Sequence, residues 1–135
     1  MDEKELGREV GELAENMGIK VIEASPEKLV ATMPVKGNTQ HYGILNGGAH
    51  VVLAETLASI GAWLHAQNVQ EGSRAVGIEV SASHHKAISE GIVIATATAI
   101  HLGGRIAHYQ IVMTNENGDK LSTAKLTAMI SRPKS

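Results

Sequence analysis

Residues 41–65 read HYGILNGGAHVVLAETLASIGAWLH, and the fold follows from what this stretch has to do. It opens on Tyr42-Gly43-Ile44-Leu45-Asn46, passes through the Gly47-Gly48 pair and continues as helix-forming sequence. Val51, Val52, Leu53, Ala54, Leu57, Ala58, Ile60, Ala62 and Leu64 leave no wide polar face. A helix apolar on every side is a buried one. From Gly47 to His65 the run would span roughly 28 Å at about 1.5 Å per residue, the width of a small domain. The sequence therefore predicts a helix inside the protein with the rest of the chain wrapped round it.

Glu55 breaks the pattern. It lies too far from the helix N-terminus to be a cap, and its neighbours three and four residues away are Val51, Val52, Ala58 and Ser59. No cation on the same helix can pair with it. Burying a carboxylate is costly unless something satisfies it, so Glu55 either takes a partner from another element or has a chemical task.

The remaining composition narrows the classes. A chain of 135 residues is one domain, 1–135, with room for a core. A formal net charge of −2 and an aromatic content of 2% (Trp63, Tyr42, Tyr109) argue against a nucleic-acid partner and against base-stacking platforms. The absence of cysteine removes disulfides, thiolate metal sites and Cys nucleophiles. The charged start, MDEKELGREV, lacks the apolar core of a signal peptide. The long helix, broken by His50, Glu55 and His65, does not read as a membrane span. A soluble, cytoplasmic protein with no membrane partner is expected. The seven histidines do not form a metal pattern. His84 and His85 point to opposite faces of a strand, no pair has i,i+4 spacing, and His50 and Glu55 lie about 140° apart round the helix.

Around the central helix the chain alternates. Residues 2–17 read as a short amphipathic helix: Asp2 and Glu5 resemble a capping box, Leu6, Val10, Leu13, Ala14 and Met17 form the stripe, and Gly18 stops it. Ile19–Ala24 is a strand, Ser25-Pro26-Glu27 a turn, and Leu29, Ala31, Met33 and Val35 mark the buried face of a second strand ending near Gly37-Asn38. After the helix comes a loop, Gln67 to Ser73. A strand follows with Val76, Ile78, Val80, Ala82 and His84 on one face and Glu79, Ser81 and Ser83 on the other. Ile92–His101 is apolar on both faces and should be a central strand covered twice. Arg105–Asn115 is joined through the hairpin signal Asn117-Gly118 to Lys120–Ile130, and Ser131–Ser135 is a tail. The class is α+β: a curved antiparallel sheet around one helix, with a second subunit covering the far face.

That order, with Leu45-Asn46-Gly47-Gly48 and Leu53-Ala54-Glu55-Thr56 at its centre, resembles the hotdog-fold acyl-CoA thioesterases. The resemblance is to the 4-hydroxybenzoyl-CoA-thioesterase-like superfamily, in the branch holding the proofreading thioesterase of enterobactin synthesis and the 1,4-dihydroxy-2-naphthoyl-CoA hydrolase. Met33-Pro34-Val35, Gln40, Val76-Gly77, Ser83-His84-His85-Lys86, Ser89-Glu90-Gly91 and His101-Leu102-Gly103 extend it along nearly the whole chain. It implies hydrolysis of an acyl-CoA, with an aromatic acyl group of the dihydroxynaphthoyl or hydroxybenzoyl type, and no cofactor. Glu55 would attack the thioester or activate water, and the Gly47 N–H would hold the carbonyl oxygen, where free N–H groups and the helix dipole favour negative charge. Gln40 would position substrate or water. Ser59 and Ile60 would line the acyl pocket, His84 its rim, and Lys86 and Arg105 would contact CoA. The resemblance also implies a homodimer as the active unit, with carboxylate and oxyanion donor from different subunits, and a homotetramer as a dimer of dimers.

Asn46 departs from the resemblance, in which His is usual. An Asn amide donates a hydrogen bond but carries no proton near neutral pH. Ala87 stands where Pro is common, and Gly104 where the first of two Arg often stands. Asn46 keeps a second reading open, an acyl-CoA-binding module without hydrolysis. A hotdog dehydratase is a third, and its His-plus-acid pattern is not seen around the helix.

Overall fold

Alternating apolar residues in the second half of the chain build most of a six-stranded sheet, and the long helix lies across its inner face. The computed structural model describes residues 10–134; Asp2, Glu5, Leu6 and Ser135 lie outside the described residues. Helix α1 (Gly11–Asn16) ends at Gly18, whose φ of +79° suits a helix stop. Strands β1 (Lys20–Ala24) and β2 (Lys28–Pro34) precede helix α2 (Gly47–Val69), and β3 (Arg74–His84), β4 (Ile92–Leu102), β5 (Ile106–Thr114) and β6 (Lys120–Ser131) follow it. The strand order is β1-β2-β4-β5-β6-β3, with every neighbouring pair antiparallel. β3 is therefore an edge strand although it follows directly on the helix.

The core is made of small side chains. Ala31, Ala95, Ala97, Ala107, Ala124 and Ala128 from the sheet are buried against a helix that presents Ala54, Ala58 and Ala62. Leu29, Met33, Ile111, Met113 and Leu126 fill the gaps. Gly61 marks the tightest approach: a Cβ there would lie 2.6 Å from Leu29 Cδ1 and 2.7 Å from Tyr109 Oη. Tyr109 cannot yield freely, because it is fully buried and its hydroxyl donates to the Pro26 carbonyl. Burial, and then the nearby Glu27, raise its pKa.

Several expectations need correction. The helix runs past His65 to Val69 because Gln67 ties its end to the following turn: Nε2 donates to the Trp63 and Ser73 carbonyls, and Oε1 accepts the Gly72 N–H. Leu13 is exposed, since the short α1 buries Ala14 instead. Strict alternation along β3 fails at a bulge between Gly77 and Glu79, so Val76 and Ile78 are exposed while Val80 and Ala82 are half-buried. The outer face of β4 is only partly covered in one chain, with Ile92 and Ile100 exposed. Ser131 belongs to β6 rather than to a tail. Finally, α2 is not buried all round. One sheet covers one side, leaving Val52, Glu55, Thr56, Ser59 and Trp63 as a half-buried stripe.

The close approach at Gly61 gives a stability prediction. Gly61→Val should destabilise the protein by about 1–3 kcal/mol through overpacking, despite replacing a helical glycine. Urea unfolding would detect it as a lowered midpoint.

Candidate active site

The segment between β2 and α2 is held by its own hydrogen bonds. Asn38 Nδ2 donates to the Met17 and Pro34 carbonyls at 2.8 Å each, and the Asn38 carbonyl accepts the Asn46 N–H at 2.9 Å. Within this frame the Gln40 N–H bonds the Ile44 carbonyl, the Gly43 N–H returns to the Gln40 carbonyl, and Gln40 Oε1 accepts the Tyr42 N–H. Gly43 has a φ of +83°, which the tight reversal requires. Asn46 then arrives in an extended conformation as the cap of α2.

That cap leaves one donor over. Asn46 Oδ1 accepts the Gly48 N–H at 2.7 Å, and its carbonyl accepts the Ala49 N–H at 2.9 Å. Among the described residues the Gly47 N–H has no partner. It lies at the positive end of a 23-residue helix, a place suited to developing negative charge.

His84 packs against the same point. Its Nε2 lies 2.9 Å from where a Gly47 Cβ would be. Its Nδ1 is 3.0 Å from Ser122 Oγ, and that hydroxyl donates to the Ser83 carbonyl. With its one proton committed there, Ser122 can only accept from His84, so neutral His84 carries its proton on Nδ1. The ring also stacks on His50, with centroids 5.2 Å apart. His50 is buried, and burial, then the neighbouring His84, push its pKa down to about 4. Sequence reasoning set His50 aside as a partner for Glu55 and passed over Ser122. The only available signal was that His50 lies one turn beyond Asn46-Gly47; Ser122 depends on its register opposite His84.

Glu55 projects from the half-buried stripe towards the edge strand. Its Oε2 would be 2.8 Å from a Cβ on Gly77 of β3. The one ion pair among the described residues, Lys86–Asp119, does not involve it. One and two turns on, Ser59, Ile60 and Trp63 join Thr56, Ala75 and Val10 around a pocket of about 220 Å³. Glu55 and Gly47 do not meet within one chain. About 12 Å of helix axis separates them, several times the roughly 3 Å at which a nucleophile and a polarised carbonyl react.

The two expected CoA cations are also far apart. Lys86 pairs with Asp119 at 2.8 Å, and that hydrogen bond, with one from Asn115, holds the Asp119 carboxyl below its usual range. The Lys86 N–H donates to the Leu121 carbonyl at one end of β6, whereas the Arg105 carbonyl accepts the Ile130 N–H at the other, roughly 30 Å away at about 3.3 Å per residue. Arg105 lines a separate hollow with Gly104, Ile106, Met129, Ile130 and Arg132. Among the described residues no group of three or more His, Asp or Glu could hold a metal ion.

The chain as a whole is similar to known proteins. The family model described as "Thioesterase superfamily" matches residues 42–122. The chain is 39% identical over 122 residues to the proofreading thioesterase EntH of Cronobacter turicensis, covering 90% of this chain and 87% of the relative. A Gln-to-Ala mutant thioesterase from Pseudomonas aeruginosa superposes with a TM-score of 0.89 at 33% identity, covering 97% of this chain and 94% of that one. A thioesterase from Haemophilus influenzae does so with a TM-score of 0.88 at 30% identity, covering 96% and 90%.

Two predictions follow from the helix N-terminus. Asn46→Ala should cost about 1 kcal/mol in unfolding free energy, the usual worth of an N-cap, whereas Asn46→Asp retains the acceptor and most of the stability. His50 is kept neutral when folded, so below its unfolded pKa of 6.5 the unfolded chain binds a proton that the native one refuses until about pH 4. The contribution of His50 to stability is present well above pH 6.5 and should fall by on the order of 1–3 kcal/mol as pH drops through that window. Urea titrations at several pH values should show this slope in the wild type and lose it in His50→Leu.

Proposed function

Because the chain belongs to the thioesterase superfamily and is a thioester hydrolase of the hotdog fold, we propose that it cleaves an aromatic acyl-CoA, of the dihydroxynaphthoyl or hydroxybenzoyl type, to the free acid and CoA. The observation that carries this reading is Glu55: a carboxylate without an ion-pair partner among the described residues, on a largely apolar helix, facing a strand edge beside a pocket lined by Thr56, Ser59, Ile60 and Trp63.

In the proposed reaction the thioester carbonyl accepts a hydrogen bond from the Gly47 N–H. Glu55 either attacks the carbonyl carbon, giving an anhydride that water then opens, or takes a proton from the attacking water. The carbon–sulfur bond breaks and CoA leaves as thiolate. The oxyanion that forms is held at the positive end of α2. Gln40 and Asn46 orient the substrate, Ser59 and Ile60 contact the acyl group, His84 stands at the rim beside Gly47, and Lys86 and Arg105 can serve one CoA only from different chains. The relative is named a proofreading thioesterase, and the aryl group is part of this proposal.

Two copies are needed for this chemistry. The separation of Gly47 from Glu55 prevents one chain from supplying both groups to one carbonyl. β3 offers the junction, because it is an edge strand with Val76 51% and Ile78 54% exposed beside Gly77. Pairing there would bring the Glu55 of one chain towards the Gly47 of the other, and the partly covered outer sheet face would join two such dimers. No described helix is long and apolar enough to cross a membrane, and we place the enzyme in the cytoplasm.

Thiol release from a panel of aromatic and aliphatic acyl-CoAs tests the reading. Glu55→Ala should lower kcat by about 10²- to 10⁴-fold while leaving the urea midpoint near that of the wild type; a fully active variant would falsify the assignment. Mixing inactive Glu55→Ala chains with inactive Gly47→Val chains should restore activity, since a mixed dimer has one intact site. Acyl-CoA binding without turnover would favour the binding-module reading, consistent with an Asn46 whose Oδ1 is committed to capping.

A further inference from the structure

We infer that Gly77 is a positioning residue for Glu55: the space its missing side chain leaves is the seat in which the carboxylate lies against β3. This rests on Glu55 being the reacting carboxylate. Glycine in a strand interior weakens the strand, so its presence calls for a reason. Backbone conformation does not supply one, because Gly77 is absent from the seven glycines with positive φ among the described residues. Space does. A Cβ at Gly77 would stand 2.8 Å from Glu55 Oε2, 3.7 Å from its Cδ and 3.5 Å from Leu126 Cδ1. The first distance is one that real Cβ atoms do not adopt. With any side chain at this position the carboxylate has to leave its place.

The adjacent bulge completes the seat. Gly77 pairs with Ala128 and Glu79 with Thr127, so Ile78 is the extra residue. Without it, strict alternation from Gly77 would turn Glu79 onto the helix face beside Glu55. Two carboxylates so placed oppose each other's ionisation. With the bulge, Glu79 is exposed and half-buried Val80 takes the inward position. The seat is therefore free of a side chain and free of a second acid.

The effect on the reaction comes through Glu55 alone. Displacing a reacting group by about 1 Å can cost on the order of 10²-fold in rate. Gly77→Ala should lower kcat by roughly 10- to 100-fold with KM nearly unchanged, because the acyl pocket is lined by other residues. Aspartate at position 55 ends one methylene short of the clash. Gly77→Ala should then cost little further kcat on a Glu55→Asp background. Equal losses on both backgrounds, or no loss in Gly77→Ala alone, would overturn the proposal.

A stability cycle provides a readout that needs no turnover. Gly77→Ala should lower the urea midpoint of the wild type by a modest amount, since a carboxylate at the end of a flexible side chain can swing aside, and by more than it lowers that of Glu55→Ala. If the single variant fails to fold, the double variant Glu55→Ala, Gly77→Ala should fold; a double variant that also fails to fold counts against the seat. The parent reading fails by a different result, full activity in Glu55→Ala, so the two failures are distinguishable.

Discussion

The fold depends on how closely an apolar helix can approach a sheet. Alanines on both sides of the contact, and Gly61 at its narrowest point, let α2 sit directly on the inner faces of β2, β4, β5 and β6. Dispersion gains accumulate only at close contact, and interiors hold few voids. Larger side chains on either surface would lift the helix away and unseat both its ends. The segment before α2 is fixed by bonds from Asn38, and the segment after it by Gln67. The helix is thereby held in depth by packing and along its axis by two polar side chains.

This placement gives α2 two chemically different regions. At its start Asn46 satisfies one orphan donor and Gly47 keeps another unspent. Midway, the half-buried stripe at the edge of the sheet carries Glu55 and the hydroxyls of Thr56 and Ser59. The mid-helix region faces an edge strand and the start of the helix faces His84, so each is shaped by a different part of β3. One strand thus sets the surroundings of both the donor and the carboxylate.

What the sequence disclosed and what it withheld divide along a physical line. Leu29, Ala31 and Met33 announced their strand because burial repeats every second residue; the strand ends at Pro34, short of the expected Gly37-Asn38, although Val35 just beyond it is also fully buried. The apolar run from Val51 to Leu64 announced the helix, and Glu55 stood out as the residue burial could not explain. These properties are local in sequence. The bulge at Ile78, the bond between His84 and Ser122, and the grip of Gln67 on Gly72 and Ser73 are relations fixed only when elements meet. A period-two pattern cannot foresee a bulge, because one inserted residue reverses every later side chain. The half-buried stripe on α2 was misread for a related reason: apolar composition shows that a surface is to be covered, and not by which chain.

The bulge at Ile78 has a consequence outside any catalytic site. An eleven-residue edge strand with exposed Val76 and Ile78 is a template on which any extended polypeptide can add a strand. During synthesis, before the proper neighbour is at hand, such an edge invites promiscuous growth into fibrous aggregates. The extra residue twists the edge and interrupts its ladder, and Arg74 and Glu79 place charges along it, so a flat incoming strand meets a broken register. The irregularity that seats one carboxylate also guards the nascent chain against its own stickiness.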